Sequence, residues 1–431
     1  MNHAPVQLGP RQLREVYAEP FAAAIREANL QAVMISCSSV DGVPSAADAG
    51  MLDQLLREDL GFQGMVVADY HSIDLLVRRH RVAADKGAAA AMALQAGLDV
   101  ELPVLDCFGE PLAAMVEGGG VDQALVDRAL VRVLNAKFRL GLFESPYVNA
   151  DAAHACFDIA AHRQLAGQLA EKSMVLLKNE GVLPLNPGCR VAVIGPTADD
   201  PRLLEGDYHY PAHAEVGFRR DDAAPVTSGA GPAFEPGPYY VDMVTPLQGI
   251  RAFAEVRHAR GCEIRGDDRS GFADARQAAR ASDVAVICVG GRSGLLPDCT
   301  SGESRDASDL VLTGVQSELI REVVATGTPV VVVVVGGRAL ALVDEAEQGG
   351  ALLMAWLPGE EGGAALARIL FGEVNPAGRL PVSLPRAAGQ VPVYYGYRAG
   401  GGRSMPLGDY IDLSTRPLFP FGHGLSYSRF D

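Results

Sequence analysis

The chain has 431 residues, a formal net charge of −16 and 48% apolar residues, enough for two or three domains around a large buried core. Lys and Arg form no block, which argues against nucleic acid and anionic membranes as partners, because both reward clustered positive charge. No apolar run nears the ~20 residues of a bilayer span, and the opening "MNHAPVQLGPRQLREVY" lacks the basic-then-apolar order of a secretory leader, so a cytoplasmic location is expected.

In chain order, "PRQLREVYAEPFAAAIREAN" has apolar residues at helical spacing, "LQAVMISCSS" reads as a strand, and "AGMLDQLLREDLG" as a helix closing at Gly61. A second strand, "GMVVADY", a helix, "DKGAAAAMALQAG", and a third strand, "LDVELP", lead to the long amphipathic helix "LVDRALVRVLNAKFRLGLF". Strands alternating with helices imply βαβ units and a parallel sheet. Only about three strands precede that helix, too few for an eight-stranded barrel of roughly 250 residues. They make either a small open sheet or part of something larger. "FESPYVNADAA" looks like a linker, and "HRQLAGQLAEKSMVLLKNEG" is read as another helix. The continuous apolar runs "RVAVIG", "SDVAVICVGG", "TPVVVVVVGG" and "ALLMAWLPG" suit parallel strands covered on both faces. Residues 197–245 are rich in Pro, Gly and Tyr and read as a long functional or flexible loop. The seven cysteines (37, 107, 156, 189, 262, 288, 299) are odd in number and form no CxxC pair, so neither a disulfide framework nor a zinc site follows.

Catalytic groups of parallel α/β folds collect at the C-terminal ends of strands. Asp69, after "GMVVA", occupies such a tip. It can equally cap the next helix; a phospho-acceptor role lacks its acidic cluster and downstream Lys. In the second half, the polar loop "RSGLLPDCTSGESRDASDLVL" carries Glu303 between Gly302 and Ser304. Taken alone it is a solvated loop, and its "VGGRSG" fits neither a dinucleotide fingerprint nor a P-loop. Two isolated carboxylates on separate domains suit a reaction that needs an acid on each side of one bond. Glycoside hydrolysis is the leading example, with the sugar expected in an interdomain cleft.

The segments "GFQGMVVADYHSI", "EKSMVLLKNEGVLPL", "SGESRDASDLVLTGVQSELI", "GEVNPAGRLPVSLP" and "PLFPFGHGLSY" together resemble glycoside hydrolase family 3, the retaining β-glucosidases and β-xylosidases. The resemblance implies an α/β fold. Residues 1–147 would be the C-terminal portion of a (β/α)8 TIM-type barrel, N-terminally truncated, and 148–164 a linker. Residues 165–385 would be an α/β sandwich domain with a mostly parallel sheet, and 386–431 an extension toward a fibronectin-like domain that the chain lacks. It places the nucleophile at Asp69 and the acid/base at Glu303. Tyr70, Tyr208 and His209 would contact substrate, and Glu101 in "DVELP" would be structural. It implies a β-linked oligosaccharide or glycoside as substrate, with no cofactor and no metal. Relatives commonly carry Tyr-Asn where this chain has Cys37 and Ser38, which weakens the case for an ordinary sugar pocket. The expected activity is retaining exo-acting β-glycosidase, impaired by loss of the N-terminal barrel half; the alternative is a catalytically silent carbohydrate-binding or interaction module. Open strand edges would favour aggregation or a homo-oligomer.

Overall fold

The computed structural model describes residues 3–218, 241–396 and 408–428. The chain divides into two compact α/β units, Met1–Ala153 and His154–Asp431. Among the described residues no helix is long and apolar enough to cross a membrane.

In the first unit, helix α1 (Glu19–Ala28) stops at Asn29, whose φ of +50° is left-handed. Strands β1 (Ala32–Met34) and β2 (Met65–Val67) pair in parallel, Val33 opposite Val66. Parallel neighbours need a crossover, and a helix over Gly50–Asp59 supplies it, burying Leu52, Leu55 and Leu56. Helix α2 (Lys86–Ala96) begins where the Asp85 carboxylate accepts the Ala88 N–H at 2.8 Å and ends at Gly97, φ +106°. These are the cap and the left-handed stop expected of its sequence. Helix α3 (Gln123–Arg139) is capped in the same way by Asp122.

The expected third strand, "LDVELP", makes only a single ladder bridge, Val67 to Val100. The amides of Asp99 and Val100 both donate to the Val66 carbonyl, at 2.9 and 3.2 Å, which spoils the even spacing of a parallel ladder. Pro103, three residues on, then has no N–H to donate.

Asp99 explains what holds this segment. Its residue is 7% exposed, and its carboxylate accepts from Arg57 Nη2, Arg132 Nη1 and the backbone N–H of Val66, each at 2.8 Å. Arg57 also donates to the carbonyl of Gly64 at 3.0 Å and lies 5.6 Å over the Phe62 ring. Burial pulls the Arg57 guanidinium below its ordinary range, an effect that the Asp99 charge opposes. The Asp99 charge is tolerated this deep because both its oxygens are paired and hydrogen-bonded.

The second unit starts with helix α4 (Ala160–Ser173). The helix expected to continue through "MVLLKN" instead ends at Ser173, and Val175–Asn179 forms strand β3. Strands β4 (Arg190–Ile194), β5 (Glu255–Ala259), β6 (Val284–Gly290), β7 (Val330–Val335) and β8 (Ala351–Trp356) complete one sheet of order β3-β8-β7-β6-β4-β5. β3 runs antiparallel to β8 and the other pairs are parallel, so the sheet is mixed. No strand of this sheet precedes β3, so no crossover forces it parallel to its neighbour.

Both faces of the sheet are buried. Val330, Val332 and Val334 of β7 enter one core and Val331, Val333 and Val335 the other, as the two-residue period of a strand requires. Within the stretch 197–245 the described residues include a 3-10 turn at Pro201–Leu204 and helix α5 at Tyr210–Phe218; residues 219–240 lie outside the described residues. Of the expected extension after 385, residues 397–407 and 429–431 also lie outside them. The described part returns to the sheet: Leu425 donates to the Leu176 carbonyl at 2.8 Å and a bridge joins Leu384 to Phe419. The edge strand β3 is thereby covered, which blunts its capacity to pair with another chain.

Two stability predictions follow from these buried charges. Asp99→Asn leaves the buried Arg57 and the partly buried Arg132 without their countercharge and should lower the unfolding free energy of the first unit by about 3–5 kcal/mol; an unchanged urea midpoint would contradict the clamp. Glu345 is 3% exposed, accepts from the Ser317 hydroxyl at 2.6 Å, and has its pKa pushed above the ordinary 4.5 by burial. Its folded form holds the proton more tightly, so its contribution is full below pH 4.5 and is lost as pH rises through the folded value. Glu345→Gln should therefore be more stable than the parent at pH 7, with the gap closing as pH falls toward 4.5. A gap independent of pH would oppose this.

Candidate active site

The first carboxylate is placed by β2. Ala68, fully buried, donates to the Val100 carbonyl at 2.9 Å, and the chain emerges from the core at the next residue, Asp69. There it turns at once: Ser72 N–H donates to the Asp69 carbonyl at 2.8 Å and His71 N–H to Leu102 at 2.9 Å. His71 has a φ of +66°, a left-handed conformation unusual for a residue with a Cβ and often found beside functional groups. Asp69 is half-buried and Tyr70 is 65% exposed. Among the described residues no group hydrogen-bonds the Asp69 carboxylate. The short helix at Leu75–Arg78 has Asp74, not Asp69, at its N-cap position. The capping alternative for Asp69 therefore has no geometric basis.

Cys37 lies beneath this turn. Its thiol faces the carbonyl oxygens of Asp69 and Tyr70 at 4.0 and 3.9 Å, so the residue that departs from the family pattern packs against the backbone of the predicted nucleophile. Glu101 is structural: its carboxylate accepts the backbone N–H groups of Asp106, Cys107 and Phe108 at 3.0, 2.8 and 2.8 Å. The three amides wrap one anion and fix the loop after residue 102. The Cys107 thiol beside it is buried and pushed up to about 12, first by desolvation and then by the Glu101 charge, so it is no nucleophile at neutral pH.

The second carboxylate sits at a position that strand order makes special. β4 and β6 are neighbours, yet the chain leaves β4 toward β5 on one side and leaves β6 toward β7 on the other. Such a switch point opens a crevice beyond the strand ends, where ligands of open α/β sheets bind. Gly195 and Gly290 begin the two departing loops, with φ of +116° and +145°. A Cβ on Gly290 would lie 1.7 Å from the Val335 carbonyl oxygen, so only glycine fits there.

Glu303 is in the loop after β6 and is exposed. The Tyr208 hydroxyl, from the loop after β4, donates to its Oε2. Its own N–H donates to Asp207 Oδ2 at 2.8 Å. His209 Nε2 pairs with the Glu205 carboxylate, so it does not reach Glu303 directly. Beneath these residues, Glu215 of α5 accepts from Arg202 Nε and Nη2 at 2.9 and 3.1 Å and from Arg292 Nη2 at 2.8 Å. Burial works to lower the Arg292 pKa, but the Glu215 charge and other nearby acids leave it raised. Arg202 belongs to the β4 loop and Arg292 to the β6 loop, so one buried acid cross-links both.

Among the predicted residues, Tyr208 and Glu303 are thus brought together, Asp69 and Tyr70 lie side by side at the tip of β2, and His209 is turned to Glu205. Asp207, Glu215 and Asp99 were missed. An acid inside the apolar "GLDVEL" was a signal for Asp99, since such a carboxylate needs partners. No local signal marks Glu215.

The chain spans about half the length of the curated relatives it matches. It is 35% identical to a β-xylosidase of Formosa agariphila over 98% of this chain and 56% of the relative. It is 34% identical to a periplasmic β-glucosidase of Salmonella typhimurium over 99% and 56%. Among solved structures, the β-glucosidase of Listeria innocua in complex with glucose superposes with a TM-score of 0.85 at 28% identity, covering 100% of this chain and 56% of that one. Residues 1–136 match the glycosyl hydrolase family 3 N-terminal domain and residues 174–427 the family 3 C-terminal domain. Both units are accounted for, and the chain belongs to glycosyl hydrolase family 3.

Proposed function

We propose that this chain carries the chemistry of a retaining, exo-acting β-glycosidase of β-glucosidase or β-xylosidase type. The observation that carries the reading is Glu303, held at the sheet's switch point by the Tyr208 hydroxyl and the Asp207 carboxylate. In this reading the first unit is a portion of a (β/α)8 barrel, supported by its parallel β1–β2 pair and alternating helices.

Asp69 would attack the anomeric carbon while the bond to the leaving oxygen breaks, and Glu303 would give that oxygen its proton. Glu303, now a carboxylate, would take a proton from water as the water oxygen displaces Asp69. Two inversions restore the starting configuration. Tyr70, exposed beside Asp69, is the proposed contact with the sugar; Tyr208 and His209 would offer their rings, their polar atoms being engaged by Glu303 and Glu205. The glucose seated in the Listeria relative supports a β-linked glycoside as substrate.

One observation favours a second reading, sugar binding without turnover. An ionised nucleophile needs donors around it, and Asp69 has none among the described residues. Hydrolysis of 4-nitrophenyl β-glucoside and β-xyloside separates the two. The proposal expects turnover that Asp69→Asn abolishes and that Glu303→Gln lowers on the order of 10²- to 10⁴-fold. Equal rates for the parent and Asp69→Asn would refute it, and calorimetric binding of glucose or xylose with no turnover would establish the second reading.

A further inference from the structure

Asp207 lies against the backbone of Glu303. Its Oδ2 accepts the Glu303 backbone N–H at 2.8 Å, and its Oδ1 accepts the Ser293 hydroxyl at 3.4 Å. Asp207 comes from the loop after β4, whereas Ser293 lies near the start and Glu303 near the middle of the loop after β6. Ser293 is 3% exposed and bridged to Ser301, and Gly294 N–H donates to the Ser301 carbonyl at 3.1 Å. The base of that loop is therefore a fixed point, and one carboxylate ties its exposed middle to it.

The fit at this junction leaves no slack. Gly302, φ +117°, precedes Glu303, and a Cβ there would stand 2.4 Å from the Gly294 carbonyl oxygen and 3.2 Å from Asp207 Cβ. Asp207 and Tyr208 are consecutive, so one dipeptide grips Glu303 twice, by its amide and by its carboxylate.

We infer that Asp207 is the positioning residue of Glu303, setting where the acid/base carboxyl stands by holding its backbone; this rests on the proposed role of Glu303. Hydrogen bonds to an ionised acceptor are the stronger kind, and a displacement of about 1 Å at a catalytic group costs on the order of 10²-fold in rate. The loss is selective. A sugar alkoxide leaves only with a proton, whereas dinitrophenolate leaves without one, so a misplaced acid harms the first reaction and spares the second.

The test uses the full chain as parent, Asp207→Ala, Asp207→Asn, Glu303→Gln and Asp69→Asn. The substrates are a β-linked disaccharide and a 2,4-dinitrophenyl β-glycoside, of glucose and of xylose. On the disaccharide, Asp207→Ala should lose on the order of 10²-fold in kcat/KM. On the dinitrophenyl glycoside its kcat/KM should hold within about threefold while kcat and KM fall together, because release of the glycosyl-enzyme then limits the rate. Asp207→Asn keeps an oxygen that accepts the same N–H and should recover the disaccharide rate to within about tenfold of the parent. Equal losses on both substrates, or none, would overturn the inference. If the parent cleaves neither glycoside, or Asp69→Asn matches it, the proposed function fails instead. The inference is then decided on the Glu303 amide: its hydrogen exchange should speed up about tenfold in Asp207→Ala and stay protected in Asp207→Asn. An unchanged exchange rate would overturn it.

Discussion

The Asp99 carboxylate is sealed among apolar side chains and must satisfy its charge there. It does so with two guanidiniums and the amide of Val66, and that requirement fixes β2 beside residues 98–100. Asp69 lies three residues beyond Val66. A slip of one residue in a strand would turn every side chain to the opposite face, so the clamp on Val66 decides which way the chain faces where it leaves the core. Burial of the pair contributes little net stability on its own; its value is that breaking it is costly, which makes the register unique.

The second unit solves the same problem by different means. Glu303 is on a loop, where a rigid strand cannot place it. Here the two loops of the switch point are cross-linked from below by Glu215 with Arg202 and Arg292 and from above by Asp207. The glycines at 195, 290 and 302 let backbone approach backbone so closely that the loops have little freedom left. The proposed acid/base carboxylate is thus presented on a loop with an underlying frame of buried charge, consistent with the rule that sites are accurate only when their supporting side chains are themselves locked.

Some of this was readable from the sequence. The runs at 284–290, 330–335 and 351–356 are apolar throughout because both faces of the sheet are covered, and that leaves a plain signature. Asp69 and Glu303 were legible only as acids in exposed positions and through resemblance to a family. β5 was not legible, since "EVRHA" at 255–259 is an edge strand with exposed charged residues. β3 was hidden because its five residues follow a helix with no turn-forming residue between. The roles of Asp207, Glu215 and Asp99 depend on partners tens of residues away, up to 96 positions for Asp207 and Glu303, and no local pattern reports them. The Cys37 substitution was visible at once, whereas its packing against the Asp69 and Tyr70 carbonyls was not.

The proposed chemistry turns on Asp69 forming a bond to the sugar. The most direct measurement is to incubate the chain with a 2-deoxy-2-fluoro β-glycoside bearing a dinitrophenyl leaving group, digest it, and weigh the peptides. The expected result is one fluoroglycosyl adduct on the peptide that contains Asp69, absent from Asp69→Asn. An adduct on a different acid, or steady hydrolysis of the unfluorinated glycoside with no adduct anywhere, would contradict it.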